Sequence, residues 1–176
     1  MRRRAHGAKA RSLPQVTLQH AFDEFGVQIR GDLATSSARI LIVDDFEPWR
    51  RQVCSMLQTR PELRVIAEVG DGLEAVQKAN ELKPDLILLD IGLPNLNGID
   101  AAYRIRQVAP DAGIIFLTQN SDRDLVRAAM SMGARGYVLK TDAGRELLPA
   151  VARVLGGHDF VSSGIKGGDS DETWET

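Results

Sequence analysis

Five short runs of apolar residues recur through the middle of the chain, and polar or acidic residues stand at or just beyond their ends. The runs cover residues 40–43, 65–69, 86–89, 114–117 and 137–139. Because these runs are continuous rather than alternating, they predict strands buried on both faces, as in a parallel sheet. In such sheets, ligands bind at the carboxyl ends of the strands. The side chains expected to converge at that edge are those of Asp44, Asp45, Asp90, Thr118 and Lys140.

Apolar stripes with helical spacing alternate with the predicted strands. They fall within residues 49–57, 75–82, 99–105, 125–132 and 147–154. Pro48 suits a first helical turn, Asn97 and Asp142 suit N-caps, and residues 121–124 match a capping box. Pro149 is expected to kink the last helix or to move its start later. The alternation predicts an α/β fold of (βα)5 order, a doubly wound parallel five-stranded sheet with helices on both faces.

The composition is that of a globular protein of about one domain. The chain has 176 residues, of which 43% are hydrophobic and 26% charged, and its net charge of −2 gives no reason to expect nucleic-acid binding. A single cysteine, Cys54, excludes an internal disulfide and favours a reducing compartment. No apolar stretch approaches the roughly 18 residues of a membrane span. A cytoplasmic protein without membrane contact is therefore expected.

The two ends differ from the periodic centre. Residues 1–38 begin with a cluster of basic residues and are predicted to form a poorly ordered basic extension, or a short helix packed on the domain or a partner. Residues 39–158 form the predicted domain. Residues 159–176, rich in Gly, Ser and acidic residues, are predicted to be a disordered acidic tail.

A set of spaced residues resembles the receiver domain of bacterial response regulators. The set consists of Asp44-Asp45, Asp90 with Gly92-Leu93-Pro94 and Asn97-Gly98, Thr118, and Tyr137 three residues before Lys140. The resemblance covers roughly residues 39–158 and implies the flavodoxin-like receiver fold. One departure is Gln119, which stands where the family usually has a small residue.

Two further stretches, residues 136–142 and 157–162, resemble the NarL/FixJ-type subfamily, whose receivers precede a helix-turn-helix DNA-binding domain. The sequence printed here ends 14 residues after Ser162. The expectation is therefore a receiver without that DNA-binding domain, which acts through protein contacts.

Three carboxylates at one strand edge repel one another, so they need a cation unless some are protonated. Hard oxygen ligands with room for water favour Mg²⁺. The resemblance implies that Asp45, Asp90 and the backbone carbonyl of Gly92 hold Mg²⁺, with Asp44 helping directly or through water.

The resemblance also assigns the phosphoryl chemistry. Asp90 is the expected phosphoacceptor, and Lys140 and Thr118 are expected to contact the transferred oxygens. Thr118 and Tyr137 are the expected switch pair, with Tyr137 rotating inward behind Thr118. Two alternatives stay open. Tyr137 could be a packing residue rather than a switch, and Lys140 could serve only as the salt-bridge partner of Asp90.

The expected function is a phosphorylation-dependent switch in a two-component phosphorelay, rather than an enzyme. The phosphate would come from a sensor histidine kinase or a histidine phosphotransfer protein, and the output would pass to an unknown downstream protein or through a homodimer. One alternative is a receiver-like interaction module that works without phosphorylation. Another is a Mg²⁺-dependent aspartyl phosphohydrolase, although haloacid-dehalogenase-like enzymes place a second Asp where this chain has Gly92.

Overall fold

The computed structural model describes residues 37–166, which alternate strands with helices. The strands are β1 (Ala38–Val43), β2 (Leu63–Val69), β3 (Leu86–Leu89), β4 (Gly113–Thr118), β5 (Gly136–Leu139) and β6 (Phe160–Val161). The helices are α1 (Glu47–Leu57), α2 (Gly72–Leu82), α3 (Gly98–Val108), α4 (Arg123–Ser131), α5 (Ala143–Leu155) and the short α6 (Ser163–Lys166). All five predicted strands are confirmed within a few residues of their expected bounds.

The strands form one parallel sheet in the order β2-β1-β3-β4-β5-β6. Alternate residues of each central strand enter two separate cores, one on each face. Apolar residues of α2, α3 and α4 fill the first core, whereas α1 and α5 cover the other face. The predicted doubly wound α/β fold is therefore confirmed. Within residues 37–166, no helix has both the length and the apolar character needed to cross a bilayer.

A sixth strand, absent from the five-stranded prediction, extends the sheet beyond β5. Ser162 is fully buried there, its N–H donates to Tyr137 O at 2.8 Å, and its hydroxyl accepts from Leu139 N–H at 3.1 Å. The Ser162 hydroxyl also donates to the Glu146 carboxylate. Residues 159–166 therefore belong to the packed structure rather than to the predicted tail. The predictions for residues 1–36 and 167–176 lie outside the described residues.

Local signals predicted most helix starts. The Asn97 side chain accepts from Asp100 N–H at 3.0 Å, which confirms the cap of α3. At α4 the cap is Asp122, whose carboxylate accepts two backbone N–H groups, so the capping box predicted from Ser121 is shifted by one residue. The Asp122 carboxylate satisfies the orphan donors of the first turn, leaving no need for a cap from Ser121.

The start of α5 differs from the prediction in two ways. Asp142 occupies the N-cap position, but its side chain makes no capping bond and lies 3.2 Å from the Arg145 guanidinium instead. The helix begins at Ala143 and continues through Pro149, so of the two expected effects of Pro149 the later start is wrong, and the kink stays a prediction. Burial of Leu147 and Val151 on either side of Pro149 stabilises the helix despite the missing backbone donor.

Gly98 permits a close approach between the start of α3 and the loop after β3. Its N–H donates to Ile91 O at 2.9 Å, and a Cβ at this position would lie 2.0 Å from Asp90 O. No side chain fits at that distance. The first turn of α3 therefore packs directly against the backbone of Asp90 and restricts its position.

Substitution of Gly98 by alanine should destabilise the fold, because the new methyl group would force the Asp90 loop away from α3. We expect the free energy of unfolding to fall by about 1–3 kcal/mol or more, the usual cost of overpacking. Gly144→Ala is the matched control, because nothing lies within 4 Å of a Cβ there. That control should change stability by no more than about 1 kcal/mol. Denaturant unfolding measures the stability of both variants. An equal loss of unfolding free energy in Gly98→Ala and Gly144→Ala would contradict the role given to Gly98.

Candidate functional site

The three aspartates of the sequence pattern meet at the carboxyl edge of the sheet. Asp44 and Asp45 follow β1, and Asp90 follows the adjacent strand β3, whose Leu89 pairs with Val43. One carboxylate oxygen from each aspartate lies within 4.8 Å of the others. Asp44 and Asp90 are buried, whereas Asp45 is exposed. The cluster therefore has a closed side within the protein and an open side towards solvent.

Lys140 brings the compensating charge from β5, two strands away from β3. Its Nζ lies 2.5 Å from Asp44 Oδ2 and donates a hydrogen bond to Asp90 Oδ2 at 3.1 Å. The contact with Asp44 is an ion pair without hydrogen-bond geometry, since Asp44 Oδ2 has no hydrogen-bond partner among the described residues. Trp49, in the first turn of α1, places its ring centroid 5.7 Å from the same Nζ. Lys140 thus connects the two buried carboxylates.

Burial controls the electrostatics of this group. Desolvation raises the pKa of Asp44 above its ordinary value, although Lys140 and the Phe46 N–H favour its charged form. Desolvation alone would lower the pKa of Lys140, but Asp44 and Asp90 together raise it. Two carboxylates about 5 Å apart repel by roughly 3 kcal/mol at an effective dielectric of 20. With all four groups ionised the site keeps an excess of negative charge, which favours a bound cation.

Backbone groups orient the carboxylates. Ile91 N–H donates to Asp90 Oδ1 at 2.8 Å, and Phe46 N–H donates to Asp44 Oδ1 at 2.9 Å. The other oxygen of each carboxylate is then turned towards Lys140. Gly92 lies beside the cluster, since a Cβ there would be 3.8 Å from Asp90 Oδ2. The carboxylates of the three aspartates are oxygen donors of the kind that a hard divalent cation prefers.

Thr118 and Tyr137 are linked through one loop residue, Asn120. Thr118 is buried at the end of β4, and its hydroxyl oxygen accepts from Asn120 N–H at 3.3 Å. Tyr137 is fully buried, and its hydroxyl donates to Asn120 O at 2.8 Å. An inward rotation of Tyr137 would start from an outward-facing side chain. In the structure the Tyr137 side chain is already buried in the inward position. The rotation itself stays a prediction.

Sequence reasoning missed three residues that support the site. Arg50 donates from Nη1 to Asp44 O at 2.6 Å, Trp49 faces Lys140, and Asn120 joins Thr118 to Tyr137. The Arg50 contact uses the backbone carbonyl of Asp44, and the Asn120 contacts use the backbone N–H and carbonyl of Asn120, for which residue type carries little signal. Trp49 was identified only as part of an apolar stripe. No pattern in the sequence distinguishes these contacts from ordinary surface or core positions.

A family model of the response regulator receiver domain matches residues 40–152. Among curated proteins, the transcriptional regulatory protein LiaR of Bacillus subtilis is 36% identical over 129 residues, which cover 73% of this chain and 61% of LiaR. The response regulator protein VraR of Staphylococcus aureus is 34% identical over 119 residues, covering 68% of this chain and 57% of VraR. The chain therefore spans between half and two thirds of the length of these relatives.

Solved structures agree with these matches. A two-component response regulator of the LuxR family from Aurantimonas is 34% identical, with a TM-score of 0.71, over 74% of this chain and 94% of that chain. The response regulator domain of CheB from Thermotoga maritima is 32% identical, with a TM-score of 0.64, over 70% of this chain and 98% of that chain. The matched parts of these structures have the fold seen here.

The burial of Tyr137 predicts a pH-dependent contribution to stability. Desolvation, with smaller effects of Asp122 and Asp90, raises the pKa of Tyr137 from 10.0 to about 12. Because the folded-state pKa exceeds the unfolded value, this contribution is complete below pH 10.0 and is lost as pH rises through about 12. Across that interval, wild type should lose about 2–3 kcal/mol relative to Tyr137→Phe.

The measurement is denaturant unfolding of both proteins at a series of pH values. Below the interval the two should differ by a constant offset, which reports the lost hydrogen bond to Asn120. Parallel curves through the whole alkaline range would contradict the assignment of the shift to Tyr137.

Proposed function

The chain belongs to the response regulator receiver family, and on that premise we propose that it acts as a phosphorylation-dependent switch with Asp90 as phosphoacceptor. The observation that carries the proposal is the position of Lys140, whose Nζ lies 2.5 Å from Asp44 Oδ2 and 3.1 Å from Asp90 Oδ2. A cation beside a buried acid cluster is the arrangement needed to accept the charge of a phosphoryl group.

Asp90 is the proposed nucleophile among the three aspartates. Its Oδ1 is held by the Ile91 N–H, and its loop is fixed by Gly98. An Asp90 oxygen attacks the phosphorus of a donor, the bond from phosphorus to the donor's leaving atom breaks, and an aspartyl phosphate forms. Lys140 then offsets charge on the transferred oxygens. The main contributions of the chain are positioning and electrostatic stabilisation.

The acid cluster fits a hard divalent cation, and Mg²⁺ is the proposed one. Asp45, Asp90 and the Gly92 carbonyl would hold it, with Asp44 contributing directly or through water. A bound Mg²⁺ would offset negative charge on the phosphoryl oxygens. The fit rests on the separation of carboxylate oxygens, all within 4.8 Å, and on the exposure of Asp45, which leaves room for water ligands.

The proposed signal passes through Thr118 and Tyr137. Moving a two-state equilibrium from 1:99 to 99:1 takes about 5.5 kcal/mol. A hydrogen bond from Thr118 to a charged phosphoryl oxygen supplies roughly 1.5–3 kcal/mol. Because the Thr118 hydroxyl accepts from Asn120, and Tyr137 donates to the same residue, a rearrangement at Thr118 also perturbs the Asn120 loop. Lys140 and repacking of α4, β5 and α5 would supply the remaining free energy.

The proposed phosphodonor is a sensor histidine kinase or a histidine phosphotransfer protein. The proposal treats the chain as a switch rather than a turnover enzyme, with an output to another protein or through a homodimer. It keeps the cytoplasmic location expected from the single cysteine. LiaR is a transcriptional regulatory protein, and this name assigns no transcriptional role to the present chain.

The central test is phosphorylation of the purified chain by acetyl phosphate with Mg²⁺. Wild type should gain one phosphoryl group on Asp90, and Asp90→Asn should gain none. Asp111→Asn, which changes an exposed carboxylate just before β4 at the opposite edge of the sheet, is the matched control and should behave as wild type. Mass spectrometry locates the modified residue. An unmodified wild type would support the alternative of an interaction module that works without phosphorylation.

The metal assignment predicts different effects of the two adjacent aspartates. Asp45→Asn should weaken Mg²⁺ binding by about tenfold or more, as expected when a metal site loses an important group. Asp44→Asn should weaken it less, because the Asp44 carboxylate is already engaged by Lys140 and the Phe46 N–H. Titration calorimetry gives the affinities, with Asp111→Asn again as control. Unchanged Mg²⁺ affinity in Asp45→Asn would refute the assignment.

A further inference from the structure

We propose that Trp49 is a positioning residue for Lys140, holding the ammonium group in line with Asp90 by a cation–π contact. The inference rests on the proposed role of Lys140 in phosphoryl transfer and adds a residue that the resemblance did not assign. Its starting point is the distance of 5.7 Å between Lys140 Nζ and the centroid of the Trp49 ring. Cations within about 6 Å of an indole centroid are attracted by the negative face of the ring.

The backbone of Trp49 is well fixed for this task. Trp49 lies in the first turn of α1, its N–H donates to Phe46 O at 3.0 Å, and Pro48 precedes it. Its ring packs against the core that α1 and α5 share with the sheet. The ring therefore has little freedom to follow Lys140, so the mobile partner of the contact is the lysine.

Lys140 needs such a restraint because its charged group stands at the end of a flexible four-carbon chain. The Lys140 side chain is 12% exposed, and the ammonium contacts Asp44 at 2.5 Å, closer than Asp90 at 3.1 Å. The two carboxylates alone would allow the ammonium to move towards Asp44. The indole face is a third attractive contact for the ammonium, in addition to the two carboxylates, and further restricts where the ammonium can lie.

Simple core packing explains Trp49 less well. The indole Nε1 is buried and has no hydrogen-bond partner among residues 37–166. A buried donor without a partner is costly, and a phenylalanine or leucine could fill apolar space without that cost. What tryptophan provides beyond those residues is the strongest cation-binding face of the aromatic side chains. The contact with Lys140 uses that property.

The first experiment measures the rate of Mg²⁺-dependent phosphorylation by acetyl phosphate in a double-mutant cycle. Trp49→Leu should lower the rate about two- to fivefold, the ratio that corresponds to a partly exposed cation–π contact, and Trp49→Phe should restore most of it. In a Lys140→Ala background the same two substitutions should leave the residual rate unchanged. Val53→Ala, a buried change on the same helix and in the same core, is the control and should leave the rate unchanged.

Two outcomes of that cycle would overturn the inference. One is an equal loss from Trp49→Leu with and without Lys140, which would indicate a general structural role. The other is a rate in Trp49→Leu that equals wild type while phosphorylation of Asp90 proceeds normally. A wild type that accepts no phosphate is a separate result, which counts against the proposed function rather than against the contact.

A second measurement tests the contact without phosphorylation. In the full chain with labelled lysine, the ring current of Trp49 should shift the Lys140 ε-methylene proton resonance upfield. The shift should disappear in Trp49→Leu and be partly retained in Trp49→Phe. A Lys140 resonance at the same position in wild type and Trp49→Leu would overturn the inference, whatever the phosphorylation results.

Discussion

Repulsion between like charges at the carboxyl edge of the sheet is the constraint around which this domain is organised. Asp44 and Asp90 are buried within a few ångströms of each other, and desolvation already raises the pKa of Asp44. Such a pair is stable only with a cation close by. Lys140 supplies one positive charge. Asp45 is exposed, so the cluster is open to solvent on its side, where a divalent ion would enter. The site is thus only partly neutralised, which favours the binding of a further cation.

The fold meets this constraint through strand order. Asp44 and Asp90 follow adjacent strands, while Lys140 follows β5, on the far side of β4. A lysine side chain is long enough to cross β4 and reach both carboxylates. Placing the positive charge on a separate strand also connects the acid cluster to β5. Tyr137 lies three residues before Lys140 in the sequence, and Lys140 contacts Asp90 directly.

The surroundings of the site are held by contacts that leave little space. Gly98 brings the first turn of α3 against the backbone of Asp90. Gly72 brings the start of α2 close to Leu96, in the loop between β3 and α3, since a Cβ on Gly72 would lie 1.8 Å from Leu96 O. On the other side, Ser162 completes the edge of β5 through Leu139 N–H. The rigid loops and the extended sheet keep the acid cluster in place.

The sequence by itself determined strands β1 to β5, the alternation with helices and the residue types at the strand ends, because continuous apolar runs and N-cap residues are local signals. The resemblance added roles for Asp90 and Lys140. Only the tertiary structure decided that Trp49 faces Lys140, that Asn120 joins Thr118 to Tyr137, and that a sixth strand completes the sheet. Those contacts depend on distances between segments far apart in the chain or on backbone N–H and carbonyl groups, and neither leaves a periodic pattern in the sequence.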